Sequence, residues 1–216
     1  LDLKPETAHE IELGADWEGA RASLTPRLYY RKVDDYIQGT PSRDPLVQMA
    51  SAMMGNPNDP LQFSNVEATI YGFDLDWTYA LSDRWFWYGL VNYVRGKRDD
   101  IDDDLYRIAA PNTTLGLEYR RASWQLALEG LAYMRQTHVS ETNGETETPG
   151  YGLLNLFGQV NLHEQLVLSA GINNLLDRDY RDHLAGVNRA VNEDIAVGEK
   201  LPGWGRNIYA NLRWDF

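Results

Sequence analysis

The stretch that decides the fold reads RNIYANLRWDF and occupies residues 206–216. Its apolar residues recur at every second position, and the positions between them are mostly polar. A period of two is that of a β-strand, so this strand would have one apolar face and one polar face. The pattern suits a strand of a soluble sheet, and it also suits a strand whose apolar face meets lipid. The apolar positions, which end on two aromatic residues, are Ile208, Ala210, Leu212, Trp214 and Phe216.

The same alternation recurs upstream and predicts nine strands in all. The connections between them are short and long in strict alternation. Short turns are predicted near residues 18–19, 82–83, 121–122 and 163–165, and long connections at residues 34–66, 96–111, 136–150 and 173–205. A soluble sandwich does not require this order, whereas an outer-membrane barrel has short periplasmic turns and long extracellular loops. The predicted fold is therefore an all-β, antiparallel transmembrane β-barrel.

Two further expectations concern the strands themselves. Pro26 lies inside the second predicted strand, and because proline has no amide hydrogen we expect a bulge or bend there. Charged residues on the polar faces are expected to pair across neighbouring strands. These residues are Arg21, Arg27, Arg31, Asp74 and Asp76.

Composition narrows the class of protein. The chain has 216 residues, no cysteine and a formal net charge of −12. It contains no apolar run approaching the roughly 20 residues of a membrane helix, which excludes a helical membrane protein. The acidic balance argues against a nucleic-acid partner, because phosphate binding needs clustered Lys and Arg. No signal peptide is visible at Leu1, and the chain opens within the strand pattern, so we expect residues 1–216 to be the C-terminal portion of a longer protein.

Three segments carry a resemblance to a known family. Residues 171–180 read GINNLLDRDY, which resembles the near-terminal segment of TonB-dependent outer-membrane receptors. The LKPET of residues 3–7, followed by residues 10–14, is similar to the opening of a mid-barrel strand in that family. The PGWGR of residues 202–206 resembles its approach to the final strand. Together the three segments span most of the chain.

The resemblance implies a location and a set of partners. Members of the family have a barrel of about 22 strands, closed by an N-terminal plug, in the bacterial outer membrane. They import a scarce nutrient with energy delivered by TonB. The plug and the TonB-contacting segment have no counterpart in residues 1–216, so contact with TonB is expected through an N-terminal region outside them. The expected partners of this portion are outer-membrane lipid and a small-molecule or metal substrate.

A methionine cluster in the first long connection is the candidate metal site. Residues 44–55 predict a short helix, with Asp44 as N-cap and Gly55 as a left-handed stop. Met49 and Met53 are four residues apart and so share a face, with Met54 beside them. Thioether sulfurs are soft ligands that select Cu(I), and this region resembles the copper-type branch of the family. Copper would be cargo, and no resident cofactor is expected. The alternative is that the methionines fill an irregular loop core.

Other polar clusters give weaker signals. The aspartates of residues 99–104 lack the glycine and the terminal glutamate of an EF-hand loop, and a solvated acidic loop is the simpler reading. His138 and His183 lie in different connections, and each is expected to be exposed. The chain has no Gly-x-Ser-x-Gly elbow, and Gly203-Trp204-Gly205 lacks the third glycine and the helix of a dinucleotide site, which indicates that the protein is not an enzyme. Two alternatives to the receptor remain, a soluble β-sandwich binding module and a passive outer-membrane channel.

Overall fold

A computed structural model of the protein describes residues 3–54, 60–188 and 193–215. The described residues form eleven antiparallel strands and two short helices. Nine of the strands are long, and the other two, β2 and β6, have only two residues each. The strands are β1 (Thr7–Gly14), β2 (Trp17–Glu18), β3 (Ala22–Pro41), β4 (Leu61–Ala80), β5 (Trp85–Arg98), β6 (Asp103–Asp104), β7 (Asn112–Arg120), β8 (Trp124–Tyr133), β9 (Tyr151–His163), β10 (Leu166–Asn173) and β11 (Asn207–Trp214). The helices are α1 (Pro45–Met53) and a 3-10 turn at His183–Ala185.

All the strands belong to one sheet. The long strands lie side by side in chain order, β1-β3-β4-β5-β7-β8-β9-β10-β11, while β2 pairs with β3 and β6 with β5. Within the described residues β1 pairs only with β3 and β11 only with β10, so this sheet is a curved wall with two open edges. The soluble sandwich is excluded, because it needs two sheets packed face to face. No helix in the described part of the chain is long and apolar enough to cross a membrane.

The connections confirm the predicted alternation. Four short turns, at residues 19–21, 81–84, 121–123 and 164–165, lie at one end of the sheet. The other end carries the first loop (residues 42–60), the second loop (99–111), the third loop (134–150) and the fourth loop (174–206). We call these two ends the turn side and the loop side. Because each long strand pairs with the next, all four loops lie on the same side of the wall.

The two faces of the sheet differ as the sequence pattern predicts. On the outer face apolar residues oppose one another, as in Leu28 against Phe73 and Tyr30 against Tyr71. Large outer-face side chains are left uncovered, including Leu212 at 61% exposure. Such a continuous exposed apolar surface is typical of contact with lipid. Six of the seven tryptophans lie in the turn-side halves of the strands, where they form an aromatic belt. They are Trp17, Trp77, Trp85, Trp87, Trp124 and Trp214.

The inner face carries the ion pairs and polar contacts. Arg31 donates two hydrogen bonds to Glu10 across β3 and β1, at 2.7 and 3.0 Å. Arg27 pairs with Asp16 at 2.6 Å, and Asp74 accepts from Asn92 at 2.7 Å. Cross-strand pairing is therefore confirmed for Arg31 and also for Arg27, whose Nε lies 3.7 Å from Glu12 of β1. Asp74 takes an amide partner instead of an arginine.

A small apolar core lies on the inner face near the loop side. Val33, Val66, Ala68 and Leu105 are buried, and Ile108 packs against them. Leu105 and Ile108 come from the second loop, which therefore folds over the inner face of β3, β4 and β5. Gly96 of β5 allows this approach, because a Cβ there would lie 2.7 Å from Leu105 and 2.9 Å from Ile108. The core anchors the second loop inside the wall.

Two strand predictions need correction. Strands β3 and β4 extend to Pro41 and from Leu61, so residues 34–41 and 61–66 of the predicted 34–66 connection are strand, and the connection between the two strands is shorter than predicted. The bulge lies between Val33 and Tyr36, where Asp35 has φ 57°, and the β3–β4 register runs without a shift through Pro26. On the other side of β3 the pairing is interrupted between β1 and β2, and there Ala15 donates to the Pro26 carbonyl at 3.2 Å. The missing Pro26 amide thus falls where the neighbouring strand is interrupted.

Candidate substrate site on the loop side

The first loop carries α1 close to where the sequence places it. Asp44 caps the helix by accepting a hydrogen bond from the Leu46 amide at 2.9 Å, and Pro45 occupies the first helical position. The helix ends at Met53, and the amide of its C-cap residue Met54 donates to the carbonyls of Ala50 and Ser51, both at 3.2 Å. Gly55, predicted as the stop, lies outside the described residues.

The three candidate methionines lie on this helix and its C-cap with their side chains uncovered. Met49, Met53 and Met54 are exposed by 57%, 81% and 84%. None of the α1 residues is buried in the described structure. Methionines that fill a loop core are covered by neighbouring side chains, and these three are not. The helix therefore presents three thioethers at the mouth of the wall.

Asp103 connects the second loop to the third. Its carboxylate accepts hydrogen bonds from the Ser140 hydroxyl at 3.1 Å and from the amides of Glu141 and Thr142 at 2.8 and 3.0 Å. Burial alone would raise the pKa of Asp103, but the donors from residues 140–142 outweigh burial and hold it below the ordinary value. The carboxylate is thus a structural acceptor for the third loop.

Three other aspartates of this run, Asp99, Asp100 and Asp104, also have partners. Asp100 pairs with Arg98 at 2.5 Å, and this hydrogen bond lowers the Asp100 pKa. Asp104 lies 3.3 Å from Arg95, and Asp99 accepts from the Thr69 hydroxyl at 2.7 Å. Among the described residues no group of three or more His, Cys, Asp or Glu side chains could hold a metal ion. The prediction of a solvated acidic loop is therefore only partly right. Asp99, Asp100 and Asp102 are exposed, but every aspartate of the run except Asp102 contacts a neighbouring strand or loop in the described structure.

The two loop histidines have different environments. His183 of the fourth loop is only 4% exposed, with Nδ1 2.8 Å from the Thr148 hydroxyl and Nε2 3.1 Å from Glu145. The prediction that it is exposed is wrong, because the third loop folds over it. His138 stays partly exposed, 3.6 Å from Asp104. The two histidines belong to separate clusters and form no joint site.

An aromatic stack connects the strands to the fourth loop. The rings of Tyr133 and Tyr151, opposed on β8 and β9, lie 4.7 Å apart, and Tyr180 lies 4.6 Å from Tyr151. The Tyr151 hydroxyl donates to Asp182 at 2.7 Å. These contacts hold the fourth loop against the inner face, with His183 next in sequence to Asp182.

The segment 171–180 folds as a clamp at the base of the fourth loop. Asn174, at φ 50° and 3% exposed, accepts from the Arg178 amide at 2.8 Å and donates to the Trp204 carbonyl at 3.2 Å. Asp177 accepts from the Arg206 amide at 2.7 Å. The two ends of the fourth loop are thereby joined just before β11. Gly203 is needed here because a Cβ would lie 2.1 Å from the Tyr180 ring. The motif that carries the family resemblance is therefore structural.

The loops enclose a cavity of about 540 Å³. It lies between the ends of β3 and β4 and the second, third and fourth loops. Arg107 and Lys200 are its two cationic residues, and sequence reasoning missed both, because a single basic residue in a loop carries no pattern. Its other polar lining residues include Glu141, Asn143, Glu145 and His183.

A single sheet with a lipid-type outer face, short turns at one end and long loops at the other defines part of an outer-membrane β-barrel. The family described as TonB dependent receptor-like, beta-barrel, matches residues 1–175. The chain belongs to this family and is a protein of the bacterial outer membrane.

Solved structures agree with this assignment. The structure described as the copper transporter OprC is 25% identical, covers 100% of this chain and superposes with a TM-score of 0.85. The ferric yersiniabactin uptake receptor FyuA from Yersinia pestis is 18% identical over 98% of this chain, with a TM-score of 0.65. The ferric enterobactin receptor PfeA from Pseudomonas aeruginosa, in a G324V mutant structure, is 20% identical over 99%, with a TM-score of 0.70. At these lower identities the last two establish the fold alone.

The chain is short relative to these proteins. It covers 32% of the OprC chain, 30% of the FyuA chain and 32% of the PfeA chain, so it spans about a third of the length of each. No curated protein matches it. Residues 1–216 thus correspond to one part of a receptor of this kind.

Proposed function

We propose that this chain forms part of the wall of an outer-membrane receptor that takes up a metal or a metal chelate with energy from TonB. Copper is favoured over a ferric siderophore as the cargo. The observation that carries the choice of copper is the exposed group of Met49, Met53 and Met54 on the loop side. Thioether sulfur selects soft Cu(I), whereas hard cations prefer oxygen ligands. The likeness to a copper transporter over the whole chain supports the same choice.

The proposal assigns the methionines to capture, ahead of transport. They lie on a helix in the first loop, which would face the cell exterior if the turns are periplasmic. Three uncovered thioethers on one helix and its C-cap can hold Cu(I) and release it into the barrel. TonB supplies the energy of uptake, and outer-membrane lipid covers the outer face.

The decisive experiment replaces all three methionines by leucine in the full receptor. Leu keeps volume and apolarity close to those of Met, so we expect a stability cost below about 1.5 kcal/mol. Cu(I) affinity and copper-dependent uptake should both fall. Met134, which is also exposed on the loop side but lies outside α1, provides the matched control as Met134→Leu. Unchanged Cu(I) affinity in the triple variant would contradict the copper assignment.

Energised uptake is separated from passive diffusion by a second measurement. Copper uptake by the wild-type receptor is compared in cells with and without TonB. Loss of uptake without TonB is the expected result. Equal uptake in both strains would favour the passive channel instead.

A further inference from the structure

We propose that Arg107 and Lys200 form an oxyanion site in the loop cavity, and that its ligand is a carboxylate group of a metal chelate. This inference rests on the proposed function, because it assumes that the loops receive the cargo. It assigns the cargo a second chemical feature in addition to the metal, namely negatively charged oxygen atoms. Helix α1, with its exposed methionines (the Met helix), and the cavity between the loops (the loop cavity) would then bind different parts of the cargo.

The first support is the environment of Lys200. Its ammonium is half-buried and donates to the Thr148 hydroxyl at 3.0 Å. Among the described residues no carboxylate oxygen lies within 4.0 Å of it. A partly buried charge ordinarily has a partner of opposite charge. Burial lowers the pKa of Lys200, the negative charges of Glu145 and Asp182 oppose this shift, and the positive charge of Arg107 adds to it. An anion in the cavity would give the ammonium a counter-charge in direct contact.

The second support is the position of Arg107. Its backbone has φ 61°, and its amide donates to Glu145 at 3.2 Å. The guanidinium lies over the Tyr106 ring at 5.3 Å and against Gly186, where a Cβ would lie 2.4 Å from Nη2. In the described structure Arg107 forms no ion pair. The guanidinium is thus placed by packing contacts, and its donors are left for a ligand.

The third support is that the buried carboxylate of the cavity is already engaged. Glu145, with a side chain 5% exposed, accepts from the amides of Arg107 and Ser140 at 3.2 and 3.0 Å and lies beside His183. Glu141 is exposed at the rim. Neither carboxylate lies within 4.0 Å of the guanidinium or the ammonium. The cavity lining therefore includes two cationic side chains that no carboxylate of the described residues contacts, in a chain whose net charge is −12.

The chemistry of the two cations defines the ligand class. A guanidinium binds a carboxylate through two parallel hydrogen bonds, and an ammonium adds a point charge. A cavity of about 540 Å³ falls within the range of small-molecule sites. A compound with two or more carboxylates could therefore contact both cations while its metal is held elsewhere.

The test measures binding to the full receptor in detergent by titration calorimetry. Citrate is the carboxylate probe, inorganic phosphate is the second oxyanion and Cu(I) alone is the metal probe. We compare the wild type with Arg107→Gln, Lys200→Gln and the double variant. Arg135→Gln is the matched control, because Arg135 is an exposed cation of the third loop that pairs with Glu147 and does not line the cavity.

Citrate should bind the wild type and the control alike, and its affinity should fall about tenfold or more in the double variant. Unchanged Cu(I) affinity in the double variant would show that it is folded and that the two sites are independent. Equal citrate affinity in the wild type and the double variant, or no citrate binding to the wild type, would overturn the inference. Phosphate binding as tight as citrate would retain the oxyanion site and assign its ligand to free phosphate.

The outcomes for copper and for citrate are separate. In one outcome the methionine variant loses Cu(I) binding, and citrate affinity is unchanged by the Arg107 and Lys200 substitutions. This outcome would support the proposed function and reject the oxyanion site. The reverse pattern would retain the oxyanion site and reject copper.

Discussion

Single polar residues hold the loop side together. Asp103 receives three donors from residues 140–142, and Glu145 receives the amides of Arg107 and Ser140. Both carboxylates thus accept hydrogen bonds from donors that would otherwise need water. A buried donor without a partner would lower the stability of the folded state. The shape of the loop cavity depends on these two acceptors.

Asp103→Asn should loosen the third loop. Loss of the anionic acceptor should cost about 1–3 kcal/mol of local stability, because amide donors would face a neutral and partly mismatched side chain. Hydrogen exchange at the amides of Glu141 and Thr142, which donate to Asp103, measures the loss. Asp102, an exposed neighbour, provides the control as Asp102→Asn. Equal exchange in the two variants would contradict the structural role of Asp103.

The same network predicts a pH dependence. The folded pKa of Asp103 lies below its ordinary value of about 3.9. A lowered folded pKa means that the stabilisation is complete above the ordinary value and is lost as the pH falls through the folded value. Wild-type residues 140–142 should therefore stay protected at neutral pH and open in acid, whereas Asp103→Asn should show little change between these conditions. A wild-type loop with equal protection at both would be inconsistent with this account.

The sequence predicts contacts between residues close together in the chain, but it does not predict contacts between residues of different loops. Asp44 was recognisable as an N-cap because its partner, the Leu46 amide, is two residues away. His183 was not recognisable as buried, because its partners Thr148 and Glu145 lie in another loop. Arg107 and Lys200 were missed for the same reason. A site built from several loops has no sequence period that could reveal it.

Alternation along each strand decides which face meets lipid. Leu75 and Leu212 lie on the outer face, whereas Asp76 and Asn211 lie next to them in sequence on the inner face. A period of two fixes this assignment once one face is known. Face and strand order were accordingly predictable from the sequence.

Arginine substitutions should separate the two faces. Leu75→Arg or Leu212→Arg should destabilise the folded barrel by about 2–4 kcal/mol if the site lies near the bilayer midplane, because the charge would enter lipid. Asp76→Arg and Asn211→Arg serve as matched inner-face variants and should cost less. Unfolding of the full receptor in lipid by denaturant measures all four. Equal penalties on both faces would argue against a lipid-facing outer surface.

Strand length was less predictable than strand order. Residues 34–41 and 61–66 contain breakers and polar residues, so the pattern indicates a loop, yet they pair as the loop-side ends of β3 and β4. Asp35 at φ 57° forms the bulge that interrupts the register without ending the pairing. Outside the lipid-facing zone a strand needs no apolar face. Paired strands there therefore show no alternation of apolar and polar residues in the sequence.

At the scale of the whole molecule, the proposed binding groups all lie on one side of the wall. The Met helix, the loop cavity and the Asp103 network belong to the loop side, while the turn side carries tight turns and the aromatic belt. Because these turns are short, they leave little surface on which to build a site. The orientation of the wall in the membrane therefore determines whether cargo is captured from outside the cell.

Labelling of intact cells tests that orientation. The chain contains no cysteine, so single cysteines can be introduced without background from its own residues. Ala50→Cys in α1 and Glu193→Cys in the fourth loop should react with a membrane-impermeant maleimide, because both positions are exposed on the loop side. Ala20→Cys and Glu164→Cys, exposed in two turns, should react only after the outer membrane is opened. Labelling of the turns in intact cells, with protected loops, would reverse the orientation and place the methionines and the cavity on the periplasmic side, where they could not capture external cargo.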